Sequence, residues 1–513
     1  MLRKRSVFLY IVMVCFCIPV LFGCVQQSGQ DETVLPGVTN QEQLREEPDT
    51  GTGETTPTVP PTTAPTETVT PAPTVTLPPS ATPTPVVTDP YDGRFWLGRY
   101  AEDTKVLMTP AEIAAYNEAN YRIAGTKTVK LTEPGAYTEQ AVRALIESYS
   151  LPSKKVFDNH QITSSDKETL LQERNLGVLQ SQSARQVGLQ YGVLVVNADL
   201  RSFPTAKRLT SEVQGRFDYL QETKLTVNEP VIILHKSLDG TWCFVQAENY
   251  CGWIHESAIA YCTKDEMIAV ADAIADTEGK QIAVITKSTD YKIGDKSIYL
   301  RMGTRLLCNG VTGDVLELKI PERDAEGRLV WKPANVSATD ASGENCVVYG
   351  YLPYTRANMI QLAVRLLGAP YAWGDALSFG ADPKETGDNG MDCSSTVSAV
   401  LRCFGFVMPR NTGTQRKMDC RQTDVSDFGI GQREALLDGL QGGELLYTSG
   451  HVMLYLGKEN GAYYVLHNTS TESRDDGGKD EFYRCLITTT QLGKSGQTIL
   501  ERLIQVNALF PID

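Results

Sequence analysis

Cys393, His451 and His467 are the residues of this chain whose types and spacing could do chemistry together. Val397, Val400, Leu401 and Phe404 follow Cys393 at helical spacing, so the thiol stands at a helix start. There the unpaired N–H groups and the macrodipole favour negative charge and populate the reactive thiolate. A lone cysteine in that place reads first as one more small apolar residue at a helix start. Two histidines downstream decide against that reading. His451–Leu456 and Ala462–His467 have the pattern of two strands joined through an Asn460-Gly461 turn signal. With the hairpin centred on Glu459, the two histidines face each other directly, their Cβ atoms about 4.5–5.5 Å apart. Nucleophilic cysteine catalysis needs a base within hydrogen-bond reach of the thiol and a third group that orients the base. The histidine pair supplies both. Among the five histidines, His160, His235 and His255 lack such a partner and read as surface or packing residues. The same three side chains also make a zinc-ligand set. A catalytic zinc wants a carboxylate base close by, however, and Asp392 reads as a helix cap or pocket residue.

Several elements must position these groups. Met359, Leu362, Ala363, Leu366 and Leu367 predict a helix over 354–367 that ends at Gly368-Ala369-Pro370. The loop Tyr371-Ala372-Trp373-Gly374 follows, its aromatics suited equally to a core or a cleft wall. Gly443–Tyr447 reads as a strand.

Upstream, Val193–Val196, Val231–Leu234 and Trp242–Val245 read as strands, the last two joined by the turn Asp239-Gly240. Trp242 and Trp253 are expected in the core, and Tyr250 and Glu222 are candidates for substrate contact. Residues 266–350 also look strand-rich. Residues 91–185 read as a helical accessory region, with helices starting at Thr109-Pro110 and spanning 138–148. Before them, 24–90 is a Thr/Pro-rich tract that cannot bury a core and acts as a semi-rigid tether. At the very start, Arg3, Lys4 and Arg5 precede the apolar run Val7–Phe22, as in a secretory signal. The run is short for a spanning helix.

With 513 residues the chain is long enough for several domains, and its formal charge of −14 gives no positive field to hold nucleic acid. Twelve cysteines include no C-x-x-C pair, which argues against a zinc ribbon or a thioredoxin-like site. In an extracellular setting some of the nine beyond residue 24 would pair, leaving at least one free.

Leu21-Phe22-Gly23-Cys24 resembles the lipobox of bacterial lipoproteins. That resemblance implies cleavage after residue 23, a lipid on Cys24, and a protein anchored outside the cytoplasmic membrane facing the cell wall. Residues 190–262, with Asp239-Gly240-Thr241-Trp242 and Gly252-Trp253-Ile254, are similar to bacterial SH3 domains, and 266–350 is a candidate second module. Tyr371-x-Trp373-Gly374, Asp392-Cys393-Ser394-Ser395, Gly443-x-Leu445-Leu446, His451–Gly457 and Val465-Leu466-His467 stand in the order and spacing of the NlpC/P60 cysteine peptidases. The resemblance covers 354–511. It implies a papain-like α+β catalytic domain preceded by SH3-like barrels and a helical N-terminal region. By it, Cys393 is the nucleophile, His451 the base and His467 the residue that orients it, with no cofactor. Peptidoglycan stem peptides are the implied partner, cut between γ-D-glutamate and a diamino acid. Tyr371 takes a place at the oxyanion or substrate, and Trp373, Asp392 and Ser394 match groove positions. Pro409-Arg410-Asn411-Thr412 matches a "P-R-D-[ST]" element, which brings Arg410 and Thr412 to the substrate. Two positions depart from the pattern. Asp375 stands where relatives often carry a second glycine, ahead of a polar insertion through Asn389. Asn411 replaces an aspartate that in relatives helps bind a free amino terminus. An inactive wall-binding lipoprotein and an amidase or acyl transferase on the same triad are the alternatives.

Overall fold

The computed structural model describes residues 87–293, 296–376, 390–473, 479–494 and 496–510. The leader, Cys24, the Thr/Pro-rich tract up to 86 and the insertion at 377–389 lie outside the described residues. Among those described, no helix is long and apolar enough to cross a membrane.

The expected accessory region divides between two cores. Helix α1 (Gly93–Tyr100) starts at Asp92, and α2 (Pro110–Asn120) starts at Thr109, which closes a capping box with Glu112. The Thr109 start is the one expected from the sequence, and neither helix belongs to a domain of its own. Trp96, Tyr100, Ile113 and Tyr116 join the core that Tyr354, Phe404, Phe406 and Phe510 form near the C-terminus. Helix α3 (Glu139–Glu147) instead packs Val142 and Ile146 into the core of the first β domain, while Leu170 of α4 (Ser164–Glu173) joins a small cluster with Phe203 and Leu209.

That β domain is a seven-stranded antiparallel sheet in the order Ile259–Cys262, Gln190–Leu194, Pro230–Lys236, Trp242–Gln246, Cys251–His255, Ala198–Arg201, Gln221–Leu225. Trp253 is fully buried and Trp242 nearly so, as expected of core aromatics. The next region corrects the expectation of strands from residue 266. Helix α5 (Lys264–Ala275) opens it, because Thr263 and Glu266 form a capping box and Met267, Val270, Ala271 and Ile274 recur at helical spacing on the buried face. Five strands follow in the order Leu329–Ser337, Val315–Arg323, Arg305–Thr312, Ile282–Ile285, Val347–Tyr349, with a separate hairpin of Thr289–Ile293 and Lys296–Leu300. All nine described cysteines are free, so no pairing supports either β domain.

The last domain packs α6 (Arg356–Val364) on α1 and on α7 (Cys393–Arg402), and α7 against a six-stranded antiparallel sheet. Its strand order is Arg421–Asp424, Gln505–Ala508, Leu445–Thr448, His451–Glu459, Ala462–Ser473, Lys479–Thr489. Val397, Val400 and Leu401 are buried, as their spacing predicts, but so is every other residue from Cys393 to Leu401, and the helix lies on the two histidine-bearing strands.

Candidate active site

Cys393 is the first residue of α7, and Asp392 is its N-cap. The Asp392 carboxylate accepts from Ser395 N at 2.9 Å, and Ser395 Oγ returns the favour by accepting from Asp392 N at 2.9 Å. This closed box aims the orphan N–H groups and the positive end of the helix at the thiol's surroundings. Cys393 is buried, with Thr412 Oγ1 3.6 Å from its Sγ.

The two histidines meet, but not as the sequence reading expects. The turn is the two-residue Asn460-Gly461, both with positive φ, so Glu459 pairs with Ala462 and is not the centre. Counted from that turn alone, strict alternation would put His451 and His467 on opposite faces of the sheet. A bulge between Tyr455 and Gly457 adds one residue to the first strand, and beyond it Leu454 pairs with Leu466. His451 is then diagonal to His467 on the same face, not directly opposite. His451 Nε2 lies 2.8 Å from His467 Nδ1. The bulge is held from outside the hairpin. Gly457 has φ +136° and a Cβ there would sit 3.1 Å from Trp96 Cζ3, while Tyr100 OH donates to Leu456 O at 2.6 Å.

His467 is 1% exposed, and its Nε2 lies 3.0 Å from Thr488 Oγ1 on the next strand. Burial, helped by the neighbouring His451, holds its pKa well below the ordinary value, so it stays neutral. A neutral ring carrying its proton on Nε2 donates to Thr488 and presents Nδ1 as an acceptor to His451. Thr488 was not legible as a site residue. It is diagonal to His467 only through the register that pairs Val465 with Thr488 and His467 with Leu486. With both nitrogens of His467 so engaged, the set does not fit a metal centre.

Asp392, Ser394 and Arg410 are turned onto one another beneath the helix start. Arg410 Nη2 and Nη1 reach Asp392 at 2.7 and 3.1 Å, and Nη1 also donates to Ser394 Oγ at 2.8 Å. Burial opposes the Asp392 charge, but Arg410 prevails and holds its pKa below the usual carboxylate value. Tyr371 pairs with Met391, two residues before the thiol, and its ring meets Phe217 edge-on at 5.9 Å. Trp373 stands half-buried beside Tyr219, 6.2 Å between ring centroids. The first β domain thus walls one side of the site. It also supplies Tyr250, whose OH donates to Glu222 Oε2 at 2.7 Å and accepts from Asn411 Nδ2 at 3.2 Å.

Residues 368–476 match the NlpC/P60 family model, and 210–255 match an SH3 domain of the SH3b1 type. The chain carries an NlpC/P60 domain behind an SH3b domain. NlpC/P60 is a family of peptidases, which are hydrolases. The chain is 32% identical over 103 residues to dipeptidyl-peptidase 6 of Lysinibacillus sphaericus, a match covering 20% of this chain and 30% of that relative's length. The structure of an NlpC/P60 endopeptidase from Photobacterium damselae subsp. piscicida superposes with a TM-score of 0.62 at 18% identity, over 82% of this chain and 97% of that one. The arrangement of β and α+β domains around the NlpC/P60 fold is therefore shared well beyond the matched motifs.

Proposed function

We propose that this protein is a cysteine peptidase of the cell wall, cutting peptidoglycan stem peptides between γ-D-glutamate and the diamino acid. The observation that carries the reading is the His451–His467 hydrogen bond on the strands beneath the Cys393 helix. Cys393 is the nucleophile. His451 takes the thiol proton, its imidazolium stabilised by donating from Nε2 to the neutral His467. The thiolate forms a C–S bond to the scissile carbonyl, and the first-turn N–H groups of α7 face the developing oxyanion. As the C–N bond breaks, His451 returns the proton to the leaving amine. Water then attacks the thioester, giving its proton to His451 and releasing the acid and the thiolate.

The amino end of the stem lies toward Asn411. Asn411 carries no charge, but Tyr250 links it to Glu222, whose carboxylate is one hydrogen bond further on. Burial pushes the Glu222 carboxyl up, against the pull of Lys127 and the Tyr250 hydroxyl, and an arriving ammonium would draw it back down. A lipid on Cys24 would keep the domain outside the membrane and within reach of the wall.

Defined muropeptides incubated with the protein test this. Fragments ending in γ-D-glutamate, absent with Cys393→Ala, support it. Cleavage that survives Cys393→Ala overturns the role of the thiol, and products cut only at the muramoyl–L-Ala amide make the enzyme an amidase.

A further inference from the structure

Asp375 occupies a costly place. It is 4% exposed, and its φ is +64°. Its Oδ1 accepts from Asp392 N at 3.1 Å and from Ser395 Oγ at 2.5 Å, both of them atoms of the capping box of α7. The same oxygen lies 3.4 Å from Arg410 Nη2. Arg301 reaches in from the second β domain. Its Nη2 donates to Gly390 O at 2.7 Å and stands 3.9 Å from Asp375 Oδ2. Arg301 is also 4% exposed. Two carboxylates and two guanidiniums thus lie together under the first turn of the helix that begins at Cys393, and the four charges cancel.

We propose that Asp375 and Arg301 are positioning residues whose opposed charges, acting through Asp392 and Arg410, set how readily the Cys393 thiol ionises. The second β domain then has a part in the chemistry without touching substrate. The other ionisable groups around the thiol are His451 and His467 on the sheet, Tyr447 on the neighbouring strand and Tyr371 in the preceding loop, with Glu222 and Tyr250 beyond Arg410. Only Asp375 and Arg301 can lose a charge without removing a direct partner of the Asp392 carboxylate. Asp375→Asn is the sharper of the two changes. Asparagine tolerates positive φ and keeps an oxygen at Oδ1 for Asp392 N and Ser395 Oγ, so it deletes the charge alone.

The inference rests on Cys393 being the nucleophile, yet it can be tested without substrate. The rate at which iodoacetamide labels Cys393 in the whole protein, followed by peptide mass spectrometry against pH, gives the midpoint of thiol ionisation. Asp375→Asn leaves an excess positive charge and should move the midpoint down by about one pH unit; Arg301→Gln should move it up by about as much. The double variant should return near the native midpoint, and Arg301→Lys should stay there. A muropeptide assay that fails would leave these shifts standing, so the two readings fall separately. Shifts below about 0.2 units in Asp375→Asn, or shifts of both single variants in one direction, would overturn the proposal. If Arg301→Gln does not fold, Asp375→Asn alone decides.

Discussion

Nε2 of His467 lies 3.0 Å from the hydroxyl of Thr488, in the interior and one strand away from His451. The hydroxyl can accept a hydrogen bond from a proton that the ring carries on Nε2. If Thr488 receives the Nε2 proton, Nδ1 is the acceptor that His451 needs when it becomes an imidazolium.

Thr488→Val keeps the shape and removes the oxygen. The ring then loses the acceptor for a proton on Nε2. We expect kcat to fall roughly tenfold, the worth of one buried hydrogen bond, with KM little changed. Steady-state kinetics on a muropeptide would show it, and an unchanged kcat with an intact fold would remove Thr488 from the relay.

What the sequence made legible is what depends on neighbours in the chain. The α7 start, its Asp392 cap, the Thr109 and Thr138 caps and the strands of the first β domain are each written within about ten residues. The Leu456 bulge is different, since it is held by Trp96 and Tyr100 from helix α1, more than 350 residues earlier. A reading from turn signals alone missed the register for that reason. Thr488 and the Arg301–Asp375 pair were hidden likewise, because their partners come from another strand and another domain. Helix α5 had its signal in plain view, at Met267, Val270, Ala271 and Ile274.

The bulge gives a second expectation. Gly457→Ala puts a methyl group at φ +136° against the ring of Trp96. Relief requires the hairpin to slip or α1 to lift, so the variant should lose about 1–3 kcal/mol of stability. Activity should fall further than that destabilisation accounts for, because the slip separates the histidines. Urea melts alongside turnover at 25 °C would measure both. Native activity in a destabilised variant would show that the bulge serves folding alone.

His467 also carries a pH signature. Its folded pKa is held well below 6.5 by burial, so between that depressed value and about 6.5 the unfolded chain binds a proton that the folded one refuses. Its contribution to stability is therefore whole above about pH 6.5 and is lost as pH falls towards the folded value. Thermal melts from pH 7.5 to 5.0 should show a fall in Tm that is shallower in His467→Asn than in the native protein. Equal slopes in the two would mean that other groups dominate the acid limb.

Asn411 raises the question of what end of the substrate the enzyme reads. Its amide bonds Tyr250, and Tyr250 bonds Glu222, so one carboxylate stands where a pattern with aspartate would have placed two. On the proposed reading, a free ammonium would be held by Glu222 alone, through a charge-assisted contact worth about 1.5–3 kcal/mol. Glu222→Gln should raise KM at least tenfold for a stem peptide with a free amino end and leave an N-acetylated peptide unaffected. Asn411→Asp should act in the opposite direction, lowering KM for the free amine only. A native enzyme that cuts both peptides alike, and a Glu222→Gln variant that still does, would mean that the row of Asn411, Tyr250 and Glu222 braces the SH3b domain against the catalytic one and reads no amino end.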